Sequence, residues 1–101
     1  PAGFMPAPRD VAGYAQVLDN ERVRGWRLVL EPGQTAPAIT QNAPGMRVVV
    51  RPGRIAEIFP GGRAREKALL KRDFFWQDPG ETRAVRNIGT TRIEIVEFEL
   101  K

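Results

Sequence analysis

Pro-Gly turns punctuate this chain. They fall at Pro32-Gly33, Pro52-Gly53, Pro60-Gly61-Gly62 and Pro79-Gly80, with Gly89-Thr90 beyond them. Proline stops a helix or a central strand, and glycine supplies the backbone freedom that tight turns need. Segments of about 8–12 residues between such turns fold as short antiparallel strands in a closed or two-layered arrangement. VRGWRLVL (23–30) sets Trp26, Leu28 and Leu30 on one face and Arg27 and Val29 on the other. MRVVVR (46–51) sets Met46, Val48 and Val50 against Arg47, Val49 and Arg51. RIAEIF (54–59), AREKALL (64–70), FFW (74–76), TRAVRN (82–87) and RIEIVEFEL (92–100) complete a set of six or seven strands. The expected fold class is all-β, an antiparallel barrel with little or no helix. Residues 34–45, rich in Pro, Ala, Thr and Asn, read as a loop. Residues 1–19 read as an N-terminal arm or edge segment, in which 11–19 is either a short helical turn or an edge strand. Along the last strand Ile93 and Ile95 are out of step with Val96, Phe98 and Leu100, so either a bulge lies near Ile95 or both faces are partly buried.

The chain has 101 residues, enough for one core. It contains no cysteine and no histidine. That excludes disulfide scaffolds, thiolate zinc sites, imidazole-bound metals, and Ser-His-Asp or Cys-His nucleophile machinery. Arginine dominates the basic residues, lysine occurring only at Lys67, Lys71 and Lys101, and the formal charge is +4. The arginines are scattered among glutamates with no long basic run, a mixed solvated surface, so nucleic acid is not an expected partner. No segment is apolar enough to span a bilayer and none near Pro1 reads as a signal peptide. Without cysteine, the expected location is the reducing cytoplasm.

The ordered set PGQ, PGR, PGGR, FFW, PGET and NIG resembles that of the small single-domain cupins. Their first motif runs Gly, five residues, His-x-His, three or four residues, Glu, six residues, Gly; Gly33 and Gly53 bracket that spacing here. Their second runs Gly, five residues, Pro-x-Gly, two residues, His, three residues, Asn; Gly80 and Asn87 hold matching places, while Arg72 stands where the first glycine falls. The resemblance covers residues 20–101 and implies a jelly-roll, or double-stranded β-helix, barrel of the RmlC-like type. It also implies that the positions of the metal ligands are taken by Ile39, Gln41, Met46 and Arg83. None of these four is an effective ligand for a hard or borderline cation, and a guanidinium repels one. No metal and no cofactor are therefore expected.

Alternation and the resemblance both point Arg83 into the barrel. It is either a receptor for a small anion, its planar fork matching carboxylate or phosphate, or the partner of an acidic side chain such as Glu81 or Glu94. Gln41 adds an amide, and Trp26 and Trp76 add aromatic walls. Phe75 faces opposite to Phe74 and Trp76. Glu97 and Glu99 share a face and read as a solvated ladder with arginines opposite. The expected function is a metal-free domain that binds a small anionic metabolite in the barrel or acts as a non-catalytic dimeric module, with Val29 and Val49 as apolar spots on charged faces that favour a homodimer. The alternative is a metal-independent isomerase or lyase for a carboxylated or sugar-like substrate, with Arg83 as electrophile and a glutamate or Tyr14 as proton carrier.

Overall fold

The structure, a computed structural model, describes residues 13–101. The rest of the expected arm, residues 1–12, lies outside the described residues. Nine strands follow in order: β1 (Tyr14–Asp19), β2 (Val23–Leu30), β3 (Thr35–Thr40), β4 (Gly45–Arg51), β5 (Gly53–Ile58), β6 (Ala64–Leu69), β7 (Phe74–Gln77), β8 (Thr82–Asn87) and β9 (Ile93–Leu100). Among the described residues no helix is long and apolar enough to cross a membrane. The Pro-Gly punctuation thus produces the all-β fold it predicts. Residues 14–19 form an edge strand, one of the two alternatives for that segment, and β3 runs through the stretch read as a loop.

The strands form two antiparallel sheets, five-stranded in the order β1-β2-β9-β4-β7 and four-stranded in the order β3-β8-β5-β6. They face each other around a common interior. The strand order, with sequence neighbours such as β3 and β4 in opposite sheets, is that of a double-stranded β-helix. Close strand approach at Gly45 requires a missing side chain: a Cβ there would lie 2.0 Å from the Phe98 carbonyl oxygen.

The inward rows divide the interior into two halves. On β9 the row reads Ile93, Ile95, Glu97, Glu99, all buried. On β4 it reads Val49 then Arg47, on β5 Ile55 then Glu57, and on β8 Val85 then Arg83. One half is an apolar base of Leu28, Leu30, Ile55, Leu69, Val85 and Ile95 with their neighbours. Each such Leu or Ile stabilises the fold by about 1.5–3 kcal/mol on burial. The other half is ionic. Asn87 closes the base, its Nδ2 donating to the carbonyls of Leu30 (2.9 Å) and Thr91 (2.8 Å) while its Oδ1 accepts from Gly89 N (3.0 Å).

Of the two alternatives for β9 the second holds: its ladder with β2 is continuous from Ile93 to Leu100 and both of its faces are partly covered, while the irregularity opposite Ile95 lies on β4, between Val49 and Arg51. Two other expectations are corrected by these rows. Glu97 and Glu99 are buried rather than solvated. β4 turns its faces the other way: Val49 is core, and Met46 and Val50 are exposed. Val49 therefore offers nothing to a dimer contact.

Candidate functional site

Four strands converge on one carboxylate. β5 carries Glu57 into the ionic half, where it is only 1% exposed. Its Oε2 accepts from Arg47 Nη1 at 3.4 Å and lies 3.1 Å from Arg83 Nε. Its Oε1 accepts from Arg65 Nη2 at 3.0 Å and Nε at 3.3 Å, and Lys67 Nζ stands 3.9 Å away. Arg47 comes from β4 in the opposite sheet, Arg65 and Lys67 from β6, and Arg83 from β8, so Glu57 ties both sheets together. Burial pushes the Glu57 carboxyl up, but Arg47, Arg65, Arg83 and Lys67 outweigh burial and hold it below its ordinary 4.5.

The surrounding cations have further partners. Arg47 Nε donates to Glu97 Oε2 at 3.0 Å. Burial opposes the charge of Arg47, yet Glu97, Tyr14 and Glu57 overcome it and raise its pKa. Arg83 also pairs with Glu81, on the β7–β8 turn. Burial and repulsion from Arg47 lower the pKa of Arg83, against Glu57, Glu97 and Glu81. Lys67 is lowered too, first by burial and then by the nearby guanidiniums, with Glu57 opposing. The Gln77 amide bridges the group when its oxygen faces the guanidiniums. It then accepts from Arg47 Nη2 at 3.3 Å and from Arg83 Nη2, and its nitrogen donates to Gln41 Oε1 at 3.2 Å. Gln41 Nε2 donates in turn to the carbonyls of Ala43 (2.8 Å) and Gln77 (3.1 Å). Backbone bonds from Gln41 N to Glu81 O and from Gly80 N to Gln41 O lock the β7–β8 turn beside it.

This donor set does not fit a divalent cation. Two buried guanidiniums occupy the centre, and both oxygens of Glu57 already face cations. Among the described residues no group of three acidic or other metal-ligating side chains could hold an ion.

Open space lies above the network, at the barrel mouth. A cleft of about 460 Å³ opens between β6 and the β7–β8 turn, with Glu57 and Arg83 at its floor. Arg65 and Lys67 form one wall, Phe75 and Trp76 the aromatic side, and Asp78 and Glu81 the opposite rim. Lys67 Nζ sits 4.2 Å from the centre of the Phe75 ring, and Trp76 Nε1 donates to Asp78 Oδ1 at 3.2 Å, which fixes the indole at the rim. Deeper in, a cavity lined by Tyr14, Ile39, Gln41, Arg47 and Arg83 has a volume of only about 10 Å³, room for one water. A substrate does not fit between Tyr14 and Arg83 there, so of the two proton carriers considered for an isomerase or lyase the cavity bears only against Tyr14.

The predicted site residues therefore separate. Gln41 and Arg83 meet in the network, and Ile39 lines the small cavity beside them. Trp26 is buried in the interior, paired in register with Glu97, and does not line the cleft. Trp76 is 57% exposed and lines both the cleft and an outer groove. Met46 is not an interior residue: it is 37% exposed and lines that outer groove with Phe98 and Leu18. The inward neighbour is Arg47, whose charge is tolerable inside only because Glu97 and Glu57 meet it. Of the two acids proposed for Arg83, Glu81 is in place, whereas Glu94 lies with Arg27 (3.0 Å) and Arg51 (3.5 Å). Sequence reading did not name Arg47, Glu57, Arg65, Lys67 or Gln77 as site residues. The one available signal was the repeated passage, along single strands, from apolar to charged residues of the same parity.

No protein-family model and no curated protein matches the sequence. Solved structures do. A cupin domain from Bordetella pertussis Tohama I superposes with a TM-score of 0.81 at 21% identity, covering 100% of this chain and 99% of that one. An RmlC-like cupin family protein with a double-stranded β-helix fold from Methanocaldococcus jannaschii gives 0.68 at 13%, covering 97% and 86%. The cupin domain of an XRE family transcriptional regulator from Enterobacter cloacae gives 0.65 at 15%, covering 84% and 90%. The fold is that of the cupins, as the turn motifs predict.

Proposed function

We propose that this chain is a metal-independent cupin-fold binding domain of the cytoplasm that takes a small anionic metabolite at the barrel mouth. The observation that carries this reading is the wall of Arg65 and Lys67 beside the buried Arg83, set around a cleft large enough for a small metabolite. A cation partly removed from water favours an anion more than an exposed one does. The ligand sits in the cleft rather than deep in the barrel, because side chains fill the interior around Ile39 and Gln41.

Calorimetric titration with a panel of small mono- and dicarboxylates and sugar phosphates tests this. The expected result is saturable binding of at least one compound, one per chain, weakened about ten-fold or more by Lys67→Ala and by Arg65→Ala. Failure of every compound at millimolar concentration, or binding indifferent to both substitutions, overturns it. Elemental analysis is expected to find no stoichiometric iron, zinc or manganese; one ion per chain would refute metal independence.

The same reading includes a homodimer. Its support is the outer face of the five-stranded sheet, where Leu18, Met46 and Phe74 are exposed and Phe98 is partly covered. Light scattering is expected to give a dimer at tens of micromolar and a monomer for Phe74→Glu. A monomeric parent protein rejects this element.

A further inference from the structure

The mouth cleft is bipolar. Its β6 wall carries Arg65 and Lys67, while its opposite rim, the turn from Asp78 to Glu81, carries two carboxylates. These two sides differ in how far their charge is already used. Arg65 gives two hydrogen bonds to the same oxygen of Glu57 and keeps a side chain 57% exposed. On the rim, Glu81 pairs with Arg83 and keeps 47% of its side chain exposed. Asp78 accepts a hydrogen bond from the Trp76 indole, a neutral donor, and no cation among the described residues forms an ion pair with it. Trp76 stands beside Asp78 with its ring accessible, and a carboxylate beside an open indole face suits an ammonium group: the ring quadrupole and the anion both attract it. A guanidinium and an ammonium on the other wall suit a carboxylate.

Resting on the reading of this cleft as an anion site, we infer that its ligand is a zwitterion, an α-amino acid or a close relative, with the carboxylate toward Arg65 and Lys67 and the ammonium toward Trp76 and Asp78. The turn geometry supports a fixed rim. Gly80 adopts φ +101°, and the backbone bonds between Gly80 and Gln41 and between Gln41 and Glu81 hold the turn to the network below. The acidic rim also explains selectivity. A simple carboxylate or a phosphate gains on one wall and meets repulsion on the other, whereas a zwitterion gains on both.

The experiment is a thermal-shift screen of the standard L-amino acids beside the carboxylate and sugar-phosphate panel, followed by calorimetry on the best amino acid, its deaminated carboxylic acid and its decarboxylated amine. The amino acid is expected to bind about ten-fold tighter than either analogue. Asp78→Asn keeps an oxygen for the Trp76 hydrogen bond but removes the charge. It is expected to weaken the amino acid about five-fold, the upper range for one exposed charge contact, and to leave the deaminated acid unchanged or tighter. If the deaminated acid or another plain anion binds as well as any amino acid, the zwitterion inference falls and the anion site stands. If no compound of either panel binds, both fall. If the amine alone binds, the anion reading falls with the inference.

Discussion

Arg47 and Glu97 face each other across the β4–β9 ladder, Nε to Oε2 at 3.0 Å, with side-chain exposures of 2% and 1%. Removing one partner of such a buried pair strips a buried charge of its nearest counterion, at a cost of about 3–5 kcal/mol. Glu97→Gln and Arg47→Met are each expected to destabilise the fold by that order in urea denaturation. The double variant Arg47→Met/Glu97→Leu is expected to recover at least half of the loss. Strictly additive losses would show that the two side chains do not act as a pair.

Acid is expected to loosen the barrel through Glu57. Its folded pKa lies below its ordinary 4.5, so the folded state binds fewer protons than the unfolded chain over that interval. The contribution is complete above the unfolded value and is lost as pH falls from about 4.5 through the folded value. Stability measured by denaturation between pH 7 and pH 3 should fall on the acid side, and Glu57→Gln should flatten the part of the slope that Glu57 contributes. A Glu57→Gln profile parallel to that of the parent protein contradicts the assignment.

Arg72 holds φ +73°, a left-handed conformation that costs little for glycine and more for other L-residues. Its N–H donates to the Val49 carbonyl at 3.0 Å, which glycine preserves. Arg72→Gly is expected to stabilise by about 0.5 kcal/mol, the relief of strain being partly offset by a more flexible unfolded chain. That corresponds to a rise in Tm of about 2–4 °C, readable by calorimetry. A fall in Tm would show that the Arg72 side chain contributes more than its backbone costs.

Asn87 satisfies two carbonyls and one amide at the sealed end of the barrel. Asn87→Ala leaves these groups without their partner and is expected to cost about 2–4 kcal/mol, since each buried orphaned group costs about 1–3 kcal/mol. Asn87→Asp, which keeps the acceptor but not the donors, is expected to cost at least as much at pH 7. A loss below 1 kcal/mol for Asn87→Ala would mean that water replaces the amide.

Much of the scaffold was legible because turns are local. Pro32-Gly33, Pro60-Gly61-Gly62 and Pro79-Gly80 act within a few residues, and so does the left-handed bend that places Arg72 where the cupin motif has glycine. The face of β4 was not legible, because both of its rows carry valines and the deciding residue, Arg47, is stabilised by Glu57 and Glu97. Those lie 10 and 50 residues further along the chain. Alternation ranks rows by apolarity and cannot see a distant carboxylate waiting for a guanidinium. The same blindness made Glu97 and Glu99 look solvated and kept Glu57 out of the candidate site. Ile39, Gln41 and Arg83 fell near the network because the spacing shared with the cupin motifs carried them there, Ile39 and Gln41 from a stretch whose own residues read as a loop. Met46 fell one residue away from the side chain that enters the barrel.

The division of the interior into an oily floor and a saline rim separates what the molecule needs to stay folded from what it presents to its surroundings. Leu28, Ile55, Val85 and Ile95 do not touch the cleft, and Arg65, Lys67, Asp78 and Trp76 do not belong to the floor. Exchanging Asp78 and Trp76 should therefore retune what the vessel holds while leaving its walls standing, whereas Arg65 and Lys67 also answer the buried Glu57.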